Sequence, residues 1–127
     1  METIVQAKRV LEIFKDMSQI PRESGNEKAI SDYIVNFAKN LGLEVQQDEL
    51  YNVVIKKPAS RGYENRPAVI LQGHIDMACV KDHDSNHDFS KDPIANIIEG
   101  EWMHADHTTL GADNGIGAAM MLAVIED

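Results

Sequence analysis

The sequence has 127 residues, 43% hydrophobic and 26% charged, enough apolar content for one domain with a buried core. Twelve basic and twenty-one acidic residues give a net charge of −9, which repels nucleic acid and anionic membrane and excludes a protein that tracks a phosphate backbone. Cys79 is the single cysteine, so an internal disulfide framework and a Cys-rich zinc finger are excluded, and neither a membrane span nor a secretory signal is legible.

A cytoplasmic location is therefore expected. The negative charge suits a site that gathers divalent cations, although a solvated acidic surface accounts for most of it.

Residues 4 to 18 read as a helix, with Ile4, Ala7, Val10, Leu11, Phe14 and Met17 recurring at three- and four-residue spacing. Pro21 ends it, because the residue before a proline is pushed out of the helical region. Ser24 and Glu27 have the spacing of a capping box that opens a second helix. That helix places Ala29, Ile30, Tyr33, Ile34, Phe37, Ala38 and Leu41 on one face, and Gly42 can stop it in a left-handed conformation.

Two short strands are expected around 43–46 and 52–56, followed by an exposed polar loop over 58–67. Ala68 to Leu71 is apolar without alternation, the pattern of a strand covered on both faces. The stretch from 81 to 92 is almost wholly polar, and 94–98 with 102–104 reads as a hairpin.

After the turn around Asp113, residues 116–126 form a small-residue helix with little polar face, expected to sit deep against the sheet. Helices, strands, then a buried strand followed by a helix argue for an α/β fold. The last helix has barely finished at Asp127, so the chain is expected to be a fragment of a longer protein.

All five histidines lie between Ala68 and Asp113. His74 and Asp76 are the sharpest pair, since side chains at i and i+2 of an extended segment point the same way. One imidazole nitrogen can then bind a metal while the carboxylate holds the proton on the other. The competing reading is a structural histidine with its hydrogen bonds satisfied.

Asp113 stands among Gly111, Gly115 and Gly117, where the backbone can approach closely, and both carboxylate oxygens are available to bridge cations. A turn or N-cap aspartate fits as well. The Gly115–Gly117 run lacks the third glycine of a dinucleotide fingerprint and the Lys-Ser/Thr of a phosphate loop.

His83 and His87 read as part of a solvated loop or lid, and His104 and His107 as surface residues or substrate contacts. Cys79 reads as a small buried hydrophobe, and Met120 and Met121 as core. A hydrolytic metal site needs about three protein ligands per ion and a carboxylate base. One His and one Asp are in view, and no Glu stands in context as a base, so the chain alone is expected to be inactive.

At these residues the sequence resembles the N-terminal part of aminoacyl-histidine dipeptidases, cytosolic Xaa-His dipeptidases of the metallopeptidase family that also holds peptidase T. The motifs are IPRESGNE (20–27), QGHIDM (72–77), HDFSKDPI (87–94) and TTLGADNGIG (108–117), and they span nearly the whole chain. The last is the most specific, with Asp113-Asn114 where peptidase T-like relatives carry Asp-Asp.

The resemblance implies that His74 ligates one zinc, Asp76 orients it and Asp113 bridges two zincs, with Co²⁺ or Mn²⁺ as possible substitutes. It implies a cis peptide bond between Asp113 and Asn114, and a Glu-Glu pair, further ligands and a lid domain beyond Asp127. The implied fold is the N-terminal part of an α/β/α sandwich catalytic domain with a mixed sheet, in a full-length protein that can be a homodimer. The implied substrates are dipeptides with C-terminal histidine. Val80 and His107 depart from the family pattern and bear on substrate preference. The alternatives are a short-peptide or amide hydrolase of other specificity, and a non-catalytic binding module.

Overall fold

Helix α1 (Glu2–Ser18) buries Ile13, Phe14 and Met17 on one face near its C-terminal end and closes with bonds from the Gln19 and Ile20 amides to the Asp16 and Met17 carbonyls. Such three-residue closures tighten a last turn whose carbonyls would otherwise lack donors, and Pro21 then prevents continuation. The computed structural model describes the backbone of residues 2–127 and the side chains from Gln6 onward, so Ile4 lies outside the described side chains. Leu11 faces outward and Ile13 takes the inward place, which rotates the buried stripe from the expected one.

Helix α2 (Lys28–Asn40) turns Ile30, Ile34 and Ala38 inward, with Tyr33 and Phe37 packed beside them. Ala29 and Leu41 are exposed, against expectation. Its C-terminus is a Schellman closure. The Leu43 amide reaches the Ala38 carbonyl at 3.0 Å and the Gly42 amide reaches Lys39 at 2.9 Å, with Gly42 at φ +71°.

The expected capping box does not form. Glu27 is the N-cap but makes no capping bond to α2; its carboxylate accepts from the Gly25 amide, and Ser24 turns elsewhere.

Strands β1 (Glu44–Gln47) and β2 (Val53–Lys56) pair antiparallel, Val45 opposite Ile55. Val53 and Ile55 pack on the core while Val54 faces solvent, the period-two alternation of a one-sided ribbon. The Ser31 hydroxyl donates to the Tyr51 carbonyl at 2.8 Å and pins their connection to α2. Strands β3 (Ile97–Glu99) and β4 (Trp102–His104) form the second antiparallel pair, with Gly100 at φ +60° in the turn.

Helix α3 (Ala112–Glu126) packs chiefly against α1 rather than a sheet. Gly115, Ala118, Ala119 and Leu122 are its buried residues, small enough to bring the two helices close. Met120 is exposed and Met121 only part-buried, so neither belongs to the innermost core. Two surface contacts tie α3 down. Arg9 grips Glu126 with two bonds, and the Lys57 ammonium donates to the Val124 and Ile125 carbonyls at the negative end of the helix.

Residues 68–71 are not a buried strand. Val69 is 82% and Ile70 88% exposed, and among the described residues no strand pairs with this segment. Apolarity marks what a segment would bury, but burial requires covering elements that the described residues do not supply. Helices and small sheets in one chain are consistent with an α/β fold.

Candidate metal centre

The segment that follows the exposed apolar run is where the polar side chains converge. Gly73 lies so close to Asn114 and Met121 that a Cβ there would collide with both. The chain then turns out His74 and Asp76. His74 Nδ1 lies 2.9 Å from Asp76 Oδ1, and its Nε2 lies 3.1 Å from Asp113 Oδ1. The other Asp76 oxygen accepts the Ser24 hydroxyl.

Asp113 is delivered by the entry to α3. Gly111 at φ +79° precedes the helix, and the Gly115 amide bonds the Gly111 carbonyl at 3.0 Å. Asp113 and Asn114 are themselves non-helical and joined by a cis peptide bond. The Asp113 side chain is 97% exposed and makes no N-cap bond, so its carboxylate is held out beside His74.

Hydrogen bonding from Asp76, and then from Asp113, raises the His74 imidazole above the usual histidine range. The Ser24 hydroxyl is the main influence holding the Asp76 carboxyl below its ordinary value, with burial opposing it and His74 assisting. A carboxylate anchored in this way can hold an Nδ1–H on His74, so that loss of the Nε2 proton, which otherwise donates to Asp113, would free the Nε2 lone pair for a cation.

The donor set fits zinc as far as it goes. Zinc takes imidazole nitrogen and carboxylate oxygen at about 2.0–2.2 Å, and two such ligands on a tetrahedral ion stand about 3.3–3.6 Å apart. The observed 3.1 Å between Nε2 and Oδ1 is a hydrogen-bond distance, so a bound ion would need the two donors to part by a few tenths of an ångström. Among the described residues, no group of three or more His, Cys, Asp or Glu is arranged to hold a metal. Two donors meet here, short of a complete coordination shell.

The remaining candidates stay apart from this pair. His107 Nδ1 bonds Asp82 at 2.7 Å, which raises its imidazole, and His104 Nδ1 approaches the Ala105 carbonyl at 2.9 Å. His87 packs against Phe89 in a tilted arrangement with ring centroids 4.6 Å apart, while His83 is exposed. Cys79 is only part-buried, not fully buried as expected, and desolvation raises its thiol.

Arg22 and Ser24 were missed as members of this neighbourhood. Both stand in the 20–27 motif, but nothing local in sequence says that this segment docks beside Met77, where Glu23 and Met77 form a bridge.

The backbone superposes on peptidase structures. An aminoacylhistidine dipeptidase from Vibrio alginolyticus superposes with a TM-score of 0.90 at 48% identity, over 94% of this chain and 24% of that one. A tripeptidase from Staphylococcus aureus subsp. aureus Mu50 superposes with a TM-score of 0.74 at 26% identity, over 94% of this chain and 31% of that one. The cytosol non-specific dipeptidase of Escherichia coli (strain K12) is 50% identical over 116 residues, 91% of this chain and 24% of the relative. The chain thus spans about a quarter of the length of the curated relative it matches. No protein-family model matches it. The resemblance read from the motifs is borne out by these relatives.

Proposed function

We propose that the chain is the N-terminal portion of the catalytic domain of a two-zinc dipeptidase, a hydrolase of dipeptides with C-terminal histidine. In this reading His74 would ligate one zinc through Nε2, Asp113 would be shared by the pair and Asp76 would orient His74. The observation that carries it is the 3.1 Å approach of His74 Nε2 to Asp113 Oδ1, with Nδ1 engaged by Asp76. Co²⁺ or Mn²⁺ can substitute for zinc at such nitrogen and oxygen donors.

Zinc bound there supplies Lewis-acid polarisation of the scissile carbonyl and of the attacking water. The contribution of this chain is to hold donors in place. Asp76 keeps the His74 proton on Nδ1, and Ser24 keeps Asp76 aimed. The proton-accepting Glu and the remaining ligands belong to polypeptide outside these 127 residues, so the chain by itself is inactive. The exposed Val69 and Ile70 support this, because an apolar run beside the site fits a strand of a larger α/β/α sandwich with a mixed sheet. Surfaces for a homodimer would lie in the same further polypeptide.

The E. coli relative is by name a cytosol dipeptidase, and we assign this protein to the cytosol too. Among the described residues no helix is long and apolar enough to cross a membrane. The same relative is named non-specific, which favours a second reading in which dipeptides without histidine are also cleaved.

The test is zinc-dependent hydrolysis by the full-length gene product, using β-alanyl-histidine, other Xaa-His dipeptides and dipeptides lacking histidine, beside a His74→Ala variant. Turnover that needs zinc and collapses in the variant supports the enzyme. Equal turnover of both substrate groups selects the broader specificity. Zinc binding without turnover on any peptide points instead to a non-catalytic module.

A further inference from the structure

Arg22 is 1% exposed, and among the described residues its guanidinium makes no direct hydrogen bond to a carboxylate, although the Asp76 charge lies near enough to act on it. Its hydrogen bonds go to backbone carbonyls on two segments. Nη1 donates to Ile75 at 3.3 Å and more weakly to Asp76 at 3.5 Å, and Nη2 donates to Gly111 at 2.9 Å. The Nε atom is buried with no protein partner. The Arg22 carbonyl also accepts the Met77 amide at 2.9 Å, so backbone and side chain grip the same extended segment.

The space around the guanidinium is kept by two glycines. A Cβ on Gly111 or on Gly115 would stand 2.6 Å from Nη2, well inside contact distance. Burying an unpaired cation is costly, and a hydrophobic residue of similar volume would fill the same space at less cost. Arginine alone offers a planar fork that reaches carbonyls on two separate segments at once.

We infer that Arg22 is a positioning residue for the metal centre. Its buried guanidinium ties the Ile75–Asp76 backbone to the Gly111 turn and so sets the distance between the donor atoms of His74 and Asp113. The inference rests on the zinc reading above. Arg22 itself does not reach metal or substrate; it acts through the two loops it joins.

The test uses the full-length gene product with Arg22→Lys, which keeps the charge and loses the fork, and Arg22→Met, which loses both. Folding is followed by circular dichroism, zinc affinity by chelator competition and site geometry by the visible absorption of bound Co²⁺. Folded variants should bind zinc at least about tenfold more weakly, the scale of losses when a group supporting a ligand is removed. Their Co²⁺ bands should move, and kcat should fall more than KM rises.

Folded variants with wild-type affinity and an unchanged Co²⁺ spectrum overturn the inference. So does failure of both variants to fold, which makes Arg22 a folding residue only. If the wild-type protein shows no His74-dependent Co²⁺ signal, the zinc reading fails first, and that outcome is distinct.

Discussion

The Ser24 hydroxyl donates to Oδ2 of Asp76, a partner 52 positions away in the chain. The bond takes one carboxylate oxygen and leaves Oδ1 for His74. In Ser24→Ala, Asp76 loses the chief influence that lowers its pKa and gains freedom to rotate. Zinc affinity should fall by about three- to tenfold, less than for loss of Asp76 itself. Chelator competition at pH 7 reads the change, and wild-type affinity would show the bond to be incidental.

Asp76→Asn keeps the shape and removes the charge. The His74 imidazole, raised mainly by this carboxylate, should titrate lower in the metal-free protein. Zinc binding should weaken by about 10- to 100-fold. Imidazole NMR shifts against pH measure the first effect and calorimetry the second.

Gly117 faces the Asn114 side chain, and a Cβ there would meet its Cγ at 2.9 Å and its Nδ2 at 3.0 Å. Gly117→Ala gains helix propensity of about 1 kcal/mol. Overpacking costs about 1–3 kcal/mol, and the residue to be displaced adjoins Asp113. The clash should win. A lower melting temperature together with weaker zinc binding is expected, whereas a stabilised variant would show that Asn114 can move aside freely.

Arg9 and Glu126 join the first and last helices by bonds of 2.5 and 2.7 Å. Arg9 holds the Glu126 carboxyl below its ordinary value. A group depressed in the folded state contributes stability above its unfolded pKa, about 4.3 for Glu, and loses it as pH falls through the folded value. Both side chains are about a third exposed, so the bidentate pair should contribute only about 0.5–1 kcal/mol. The melting-temperature gap between wild type and Glu126→Gln should be full near pH 7 and close below about pH 4. A gap independent of pH would contradict the assignment to this ion pair.

Local signals were legible where local contacts decide. Gly42 stops α2 as its backbone freedom suggests, and the β3–β4 hairpin forms near its turn residues. The pairing of His74 with Asp76 follows from two-residue spacing in an extended segment, and their approach to each other is observed. Where partners are distant, local pattern misled. Ser24 abandons the capping box for a carboxylate beyond the next two strands, and Arg22 bonds carbonyls, which carry no sequence signature. The helical stripe chose Leu11 over Ile13 because periodicity fixes a face only to within about one residue. Val69 and Ile70 announce burial that the described residues do not provide.

The most direct measurement of the central claim is anomalous diffraction at the zinc edge from crystals of the full-length gene product grown with zinc. Two peaks should flank the Asp113 carboxylate, one of them at about 2.0–2.1 Å from His74 Nε2. Both should be lost or weakened in His74→Ala. Absence of any peak at His74 and Asp113, or zinc held instead by His83 and His87, would contradict the account.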